Sequence, residues 1–190
     1  MIVFTNAGIF LMGLIFDLYV IILMLRLLMQ KMGANYNPVS QLVIRLTNIF
    51  VRPLQRIILG FRGFNLAIVL LLMVFELIQV LLIFGFRFQV MPHWLGLFLI
   101  AIGSLGNKFM NLYFYAIIIR VIMSWSPFLQ RSSVAEIIFL ITEPLMRSVR
   151  RFIPIVAGFD FSHLFLLVLL QLISIIVFNP IIEIGTRWAL

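Results

Sequence analysis

Four long apolar segments constrain this chain more than any other feature. They run near residues 4–29, 64–86, 95–125 and 160–179. About 20 helical residues cross the roughly 30 Å hydrocarbon core of a bilayer, so each segment is long enough to span a membrane. Of the 190 residues, 64% are hydrophobic and 11% are charged, whereas soluble domains have about 45–50% and about 25%. The sequence therefore predicts an all-α, multi-pass membrane protein with four transmembrane helices.

Two of the segments have features that affect how they cross. The third is longer than one crossing requires and contains Gly103 and Gly106, so we expect it to tilt, to kink at these glycines or to protrude from the bilayer. The first has no Lys or Arg before Arg26 and no small-residue cleavage site after its apolar run. It is therefore predicted to be a retained membrane helix rather than a removed signal peptide.

The chain repeats itself at an offset of about 95 residues. Two units are predicted, 1–93 and 94–190, and each consists of a helix, an amphipathic connector and a second helix. Because each unit contains two spans, both units begin on the same side of the membrane, and the repeat is parallel rather than inverted. The matching pairs are Thr47 with Thr142, Arg52 with Arg147, Arg56 with Arg151, Gly63 with Gly158 and, at an offset one residue shorter, Arg26 with Arg120.

The connectors, residues 38–59 and 131–154, hold much of the basic charge. At about 100° per residue, arginines of each connector share one arc opposite apolar residues, which is typical of helices lying among anionic headgroups. The excess of Lys and Arg predicts that both connectors are cytoplasmic and both termini periplasmic. Either the connectors contact lipid alone or they also dock a partner protein. The basic face comprises Arg45, Arg52 and Arg56 in the first connector and Arg147, Arg150 and Arg151 in the second.

Ionisable residues within the spans are costly and mark candidate functional sites. Asp17 and Glu76 lie near the middle of their segments, and Lys108 lies midway along the third. The repeat places Asn111 at the position of Asp17 and Gln171 at that of Glu76. We therefore predict a polar seam in which these amides hydrogen-bond to the acids and Lys108 neutralises one of them. The seam has three open roles, namely contacts between helices, an ion or proton path, and partner binding.

Other residues receive simpler interpretations. Arg26 and Arg120 lie at helix ends where their side chains reach the membrane surface, so no special role is assigned to them. Thr142, Glu143 and Pro144 are interpreted as a helix start in the second connector. Asp160 and Ser162 are interpreted as a cap at the start of the fourth span.

Several classes of function find little support in the sequence. There is no cysteine, and His93 and His163 are far apart, so no metal site or cofactor is expected. There is no phosphate-binding glycine-rich loop or HExxH motif, and Ser162 and His163 are adjacent without a convincing acid partner, so no enzymatic activity is expected. The net charge of +8 is explained by lipid headgroups, and nucleic acid is not an expected partner.

The second connector resembles the signature of the YggT family of small bacterial inner-membrane proteins. That signature is similar to T-x-P-L-[LM]-x-x-[VI]-R-R-x-[IL]-P, followed by a Gly and D-x-S, and it usually occurs twice. Here the matching residues are Thr142, Pro144, Arg150, Arg151, Pro154, Gly158, Asp160 and Ser162. The first copy keeps Thr47 and Gly63 but has Ile49, Leu59 and Asn65 where the pattern has Pro, Pro and Asp.

The resemblance implies an inner-membrane protein. Relatives are associated with osmotic and potassium tolerance, with cell-division gene neighbourhoods and, in plastids, with membrane-protein and cytochrome assembly. Two functions follow as expectations. The first is a non-enzymatic factor that supports assembly or organisation of membrane components, in a homo-oligomer or with other membrane proteins. The alternative is a potassium-conducting or osmoprotective transport protein that uses Asp17, Glu76 and Lys108.

Overall fold

The part of the chain that the structure describes is built from helices alone. The structure is a computed structural model and describes residues 2–34, 36–57, 65–88, 91–151 and 160–190. Its elements are α1 (Ile2–Lys31), α2 (Pro38–Ile57), α3 (Leu66–Phe88), α4 (Trp94–Ser124), α5 (Pro127–Gln130), α6 (Ser133–Arg150), α7 (Ser162–Ile173), a π-helical turn (Ser174–Phe178) and α8 (Asn179–Ala189).

The four predicted membrane spans are confirmed. The segments long and apolar enough to cross a bilayer are Asn6–Lys31, Leu66–Arg87, Trp94–Ser124 and Ser162–Ala189. The last combines α7, the π-helical turn and α8, so it continues to Ala189 rather than ending at residue 179. Because a π-helical turn only widens the helix locally, the chain crosses this region without a loop.

Helix α4 is continuous from Trp94 to Ser124, so the chain does not leave the helix at Gly103 and Gly106. These glycines allow close packing against the last span. A Cβ on Gly103 would lie 2.7 Å from Cγ1 of Ile182, and one on Gly106 would overlap the ring of Phe178. Small residues at a membrane-helix interface let two backbones approach closely. These glycines therefore shape the interface between α4 and the last span.

The predicted helix start at Thr142 is also wrong. Helix α6 begins at Ser133, where the Ser132 hydroxyl accepts a hydrogen bond of 3.2 Å from the Ala135 backbone N–H. Thr142 and Pro144 lie inside the helix. Burial of the residues before them, among which Ala135 is fully buried, stabilises the helix upstream of the proline. Packing thus outweighs the local preference of proline for a first turn.

Buried side chains from both predicted repeats share the main apolar core of the described residues, and a smaller cluster lies where α3, α4 and α8 meet. Leu23 of α1 and Ile68 of α3 are fully buried together with Ile117 of α4, Ile141 of α6 and Leu166 of α7. Around this core, α1 packs chiefly against α3, whereas α4 packs chiefly against α8. The two halves therefore meet through shared apolar packing, and the face between α1 and α4 is less filled.

Candidate functional site

A charged cluster joins the two halves at mid-span depth. The Lys108 ammonium nitrogen lies 2.6 and 2.8 Å from the two carboxylate oxygens of Glu76 and 2.7 Å from Oδ1 of Asp17. It also donates to Oε1 of Gln79 at 2.9 Å. Gln79 in turn donates through Nε2 to Asp17 at 2.8 Å, and the Ser104 hydroxyl donates to Glu76. Lys108 thus neutralises one charge and bridges both acids.

The structure brings together only part of the predicted polar seam. Asp17, Glu76 and Lys108 meet as proposed. Within the described residues, Asn111 and Gln171 make no hydrogen bond with either carboxylate, and Gln79 and Ser104 take that place. Asn111 does line the same cavity as Asp17 and Lys108. A 95-residue register identifies equivalent positions, but the rotation of each helix about its axis decides which side chains meet.

The members of the cluster differ sharply in exposure. Glu76 is 1% exposed, and the side chain of Lys108 is 16% exposed. The side chain of Asp17 is 46% exposed. By formal charge, two carboxylates and one ammonium leave one excess negative charge. That charge is accessible only at Asp17, because Glu76 is enclosed by its partners.

An apolar groove begins at the exposed carboxylate. It is a cavity of about 380 Å³ between α1, α4 and α6. Such a volume falls within the range of about 300–1,000 Å³ that ligand sites occupy. Three helices line this cavity. The lining residues are Ile21 and Leu25 of α1, Leu112, Ala116 and Ile119 of α4, and Ile138 and Ile141 of α6. We call this surface the α1–α4 groove.

A second cavity lies on the other side of the cluster. It has a volume of about 280 Å³ and lies between α3, α4 and the last span, where Val80, Ile100 and Ile182 line it. Asp17 and Lys108 line both cavities. The cluster therefore borders two mainly apolar spaces.

Two buried arginines connect the spans to the connectors, a role the sequence interpretation did not assign. Arg26 donates to the Thr47 hydroxyl at 2.6 Å, and Arg120 donates to the Thr142 hydroxyl at 2.8 Å. The two arginines are 3% and 6% exposed, so neither reaches the membrane surface as predicted. The joint repetition of the Arg and Thr positions was the sequence signal that could have identified these pairs.

The second arginine pair carries an additional acid. Arg120 donates to Glu143 at 2.8 Å and stacks on the Phe139 ring with 4.8 Å between Cζ and the ring centroid. The hydrogen bond from Arg120 lowers the pKa of the Glu143 carboxyl. The equivalent of Glu143 in the first half is Asn48, so only the second pair includes an ionisable partner.

The predicted basic face is exposed on both connector helices. On α2, the arginine arc lies beside exposed Leu42, Leu46 and Ile49, while Thr47 and Val51 face the protein. A helix with adjacent basic and apolar exposed arcs is suited to the headgroup region of a bilayer. The exposed arginines are Arg45, Arg52 and Arg56 on α2, and Arg147, Arg150 and Arg151 at the end of α6.

The motif residues around the fourth span act in capping and pairing. Oδ1 of Asp160 accepts the Ser162 backbone N–H at 3.0 Å, and Oδ2 accepts from Arg150 at 2.8 Å. Burial alone would raise the pKa of Asp160, but hydrogen bonds from Ser162 and Arg150 outweigh it and lower the pKa to about 2. In the first half, Asn65 instead donates to Gln30 at 3.2 Å. Gly63, Pro154 and Gly158 lie outside the described residues.

Within the described residues, no group of three or more His, Cys, Asp or Glu side chains is arranged to hold a metal ion.

Comparison with known proteins gives a consistent assignment. The profile of the family described as CCB3/YggT matches residues 5–86 and 99–181. A Pseudomonas aeruginosa protein, "Uncharacterized protein PA0392", is 33% identical over 94% of this chain and 92% of its own length. "Uncharacterized protein YggT" of Escherichia coli K12 is 30% identical over 89% of this chain and 88% of its own length. No solved structure matches. The two matched segments and these relatives confirm the resemblance, and the chain belongs to the CCB3/YggT family.

Proposed function

We propose that this chain is a non-enzymatic membrane protein that organises or assembles other integral membrane components. The observation that carries the proposal is the α1–α4 groove, an open apolar surface that begins at the half-exposed Asp17 carboxylate. Membrane helices associate through packing and through polar contacts that lipid cannot supply. A groove that offers both kinds of contact is suited to holding another membrane component.

The proposal places the chain in the bacterial inner membrane, with both connectors on the cytoplasmic side and both termini periplasmic. The basic connector faces support this orientation through the positive-inside rule. The exposed arcs of α2 fit a position among anionic headgroups. In this arrangement the connectors hold the protein at a fixed depth, while the groove faces the bilayer laterally.

The test combines deletion with groove variants in the native host. Membrane complexes are separated on native gels and quantified after deletion of the gene and after complementation. We expect deletion to reduce a defined set of assembled complexes, and complementation by Asp17→Asn or Ala116→Phe to restore them poorly. The matched control Glu183→Gln replaces an exposed acid on α8 and should restore them fully. Unchanged complexes after deletion would contradict the proposal.

Ion or proton conduction is a second candidate, favoured by the two cavities that meet at Asp17 and Lys108. Their walls are mainly apolar, whereas conducting paths are usually lined by carbonyl groups or rings of charge. The candidate is tested by rubidium and proton flux into proteoliposomes, with empty vesicles and Glu76→Gln alongside. We expect no protein-dependent flux. Flux that the substitution changes would replace the assembly proposal with transport.

A further inference from the structure

We infer that the α1–α4 groove binds a transmembrane helix of another protein that carries a Lys or Arg near its midpoint, with this cation against Asp17. The inference rests on the proposed function and adds the chemistry of the partner. It combines three properties of the site, which are its charge, its depth in the membrane and its shape.

The charge of the site favours a cation. Lys108 and Gln79 both contact Oδ1 of Asp17, at 2.7 and 2.8 Å, yet the side chain remains 46% exposed. By formal charge, the cluster carries one excess negative charge. An uncompensated charge at membrane depth is costly. A basic side chain from a partner helix would neutralise the cluster and form a charge-assisted hydrogen bond with the accessible carboxylate.

The depth of the site favours a helix over a lipid headgroup. Asp17 lies near the midpoint of the span Asn6–Lys31. At 1.5 Å per residue, about 20 Å of helix separates Asp17 from Lys31. The amine of a lipid headgroup remains at the surface and does not reach this position, whereas a side chain on a membrane helix does.

The shape of the groove also fits a helix. Asp17, Ile21 and Leu25 occur at intervals of four residues and form one row along α1. An amphipathic or apolar helix presents side chains at the same spacing. Opposite this row, Ala116 also lines the groove, and its small side chain leaves the groove open between α1 and α4.

A second copy of the chain does not supply the required cation. Among its 14 Lys and Arg residues, Lys108 is the one near the middle of a span, and it is already bound to Asp17 and Glu76. The basic residues Arg26 and Arg120 lie toward span ends and donate to threonines. The site therefore requires a different protein.

Disulfide cross-linking tests the inference directly because the chain contains no cysteine. The full chain with Ile21→Cys, a half-exposed position one turn from Asp17, is reconstituted in phosphatidylcholine vesicles. Leu–Ala transmembrane peptides carry Lys, Leu or Glu at the midpoint and one Cys a turn away. We expect the Lys peptide to cross-link about 3- to 20-fold more than the Leu peptide, in line with measured interhelical polar contacts, and the Glu peptide to cross-link least.

Asp17→Asn provides the decisive variant, and Glu183→Gln is the matched acid-to-amide control. In Asp17→Asn, cross-linking of the Lys peptide should fall to the level of the Leu peptide. Cross-linking of the Leu peptide to the same variant serves as the internal reference for its folding. The control should keep the full preference. Equal cross-linking of all three peptides to the parent protein would overturn the inference. The proposed function would still stand in that case, because the groove would bind helices without a preference for charge.

Two other occupants are outcomes of the same experiment. A disulfide between two Ile21→Cys chains, with no peptide cross-linked, would overturn the inference in favour of a second copy. Absence of every disulfide, with capture of a photoactivatable acyl chain at Ile21, would overturn it in favour of lipid. The assembly proposal is tested separately by the native-gel comparison of membrane complexes after gene deletion, so its failure and failure of this inference are distinguishable.

Discussion

The two halves of the chain share one internal connection and differ in how their helices pack. In each half a buried arginine binds a connector threonine, Arg26 to Thr47 and Arg120 to Thr142. In the second half, glycines hold α4 tightly against α8. In the first half, no atom outside the helix lies within 4 Å of the Cβ that Gly13 would gain, and Asp17 stays half-exposed. The comparison indicates a common scaffold, with a closely packed second half and an accessible first half.

The charged cluster crosses the boundary between these halves. Asp17 and Glu76 belong to the first half, and Lys108 belongs to the second. Each half alone therefore contains an unbalanced charge at membrane depth. Pairing between them stabilises the complete chain and leaves the accessible carboxylate on the first half.

The largest effect is expected from removing the charge that joins the halves. Lys108→Met leaves Glu76 buried without its cation, and breaking a buried pair in this way costs about 3–5 kcal/mol of the free energy of unfolding. SDS titration in mixed micelles measures this loss. Arg131→Met, at an exposed position, should change stability by no more than about 0.5 kcal/mol. Similar values for the two variants would show that the halves do not depend on the ion pair.

A second prediction contrasts the packing of the two halves. A Cβ at Gly96 would overlap the Ala189 backbone and lie 2.6 Å from the Gly185 carbonyl oxygen, so Gly96→Ala should lower stability by about 1–3 kcal/mol through overpacking. Gly13→Ala has open space and should be neutral or slightly stabilising. The same titration measures both. Equal losses at the two positions would contradict the difference in packing.

The arginine–threonine pairs should respond unequally to loss of the hydroxyl. Thr47→Val removes the closest acceptor of Arg26, whose remaining contact is the Ile44 carbonyl at 3.4 Å, and should cost about 1.5 kcal/mol. Thr142→Val should cost less, because Arg120 keeps Glu143 and the Phe139 ring. Unfolding titrations of both variants measure the difference. A larger loss for Thr142→Val would contradict this interpretation.

The smallest expected effect is a dependence of stability on pH that comes from Glu143 in the second half. The hydrogen bond from Arg120 lowers the folded-state pKa of Glu143. Its stabilisation is therefore present above the ordinary glutamate pKa and is lost as pH falls through the lowered value. Because Glu143 is 39% exposed, we expect less than about 1 kcal/mol. Unfolding curves measured from neutral to acidic pH should show this component in the parent chain but not in Glu143→Gln, and an identical pH profile would exclude it.

The sequence by itself determined the membrane character, the four spans and the family. These properties depend on local quantities, because the thickness of the bilayer sets the length of each span and apolar content decides whether it inserts. The repeated positions of Arg26 and Arg120, and of Thr47 and Thr142, were also readable in the sequence. The sequence did not show what these arginines contact, because an arginine near a helix end can either reach the membrane surface or turn into the protein.

Only the tertiary structure decided which residues meet. Equivalent sequence positions suggested Asn111 and Gln171 as partners of the acids, whereas helix rotation brings Gln79 and Ser104 to them. Gly103 serves close helix packing because the last span lies against it. Burial, helix rotation and close packing involve residues distant in sequence, so they were fixed by how the four spans assemble rather than by any one of them.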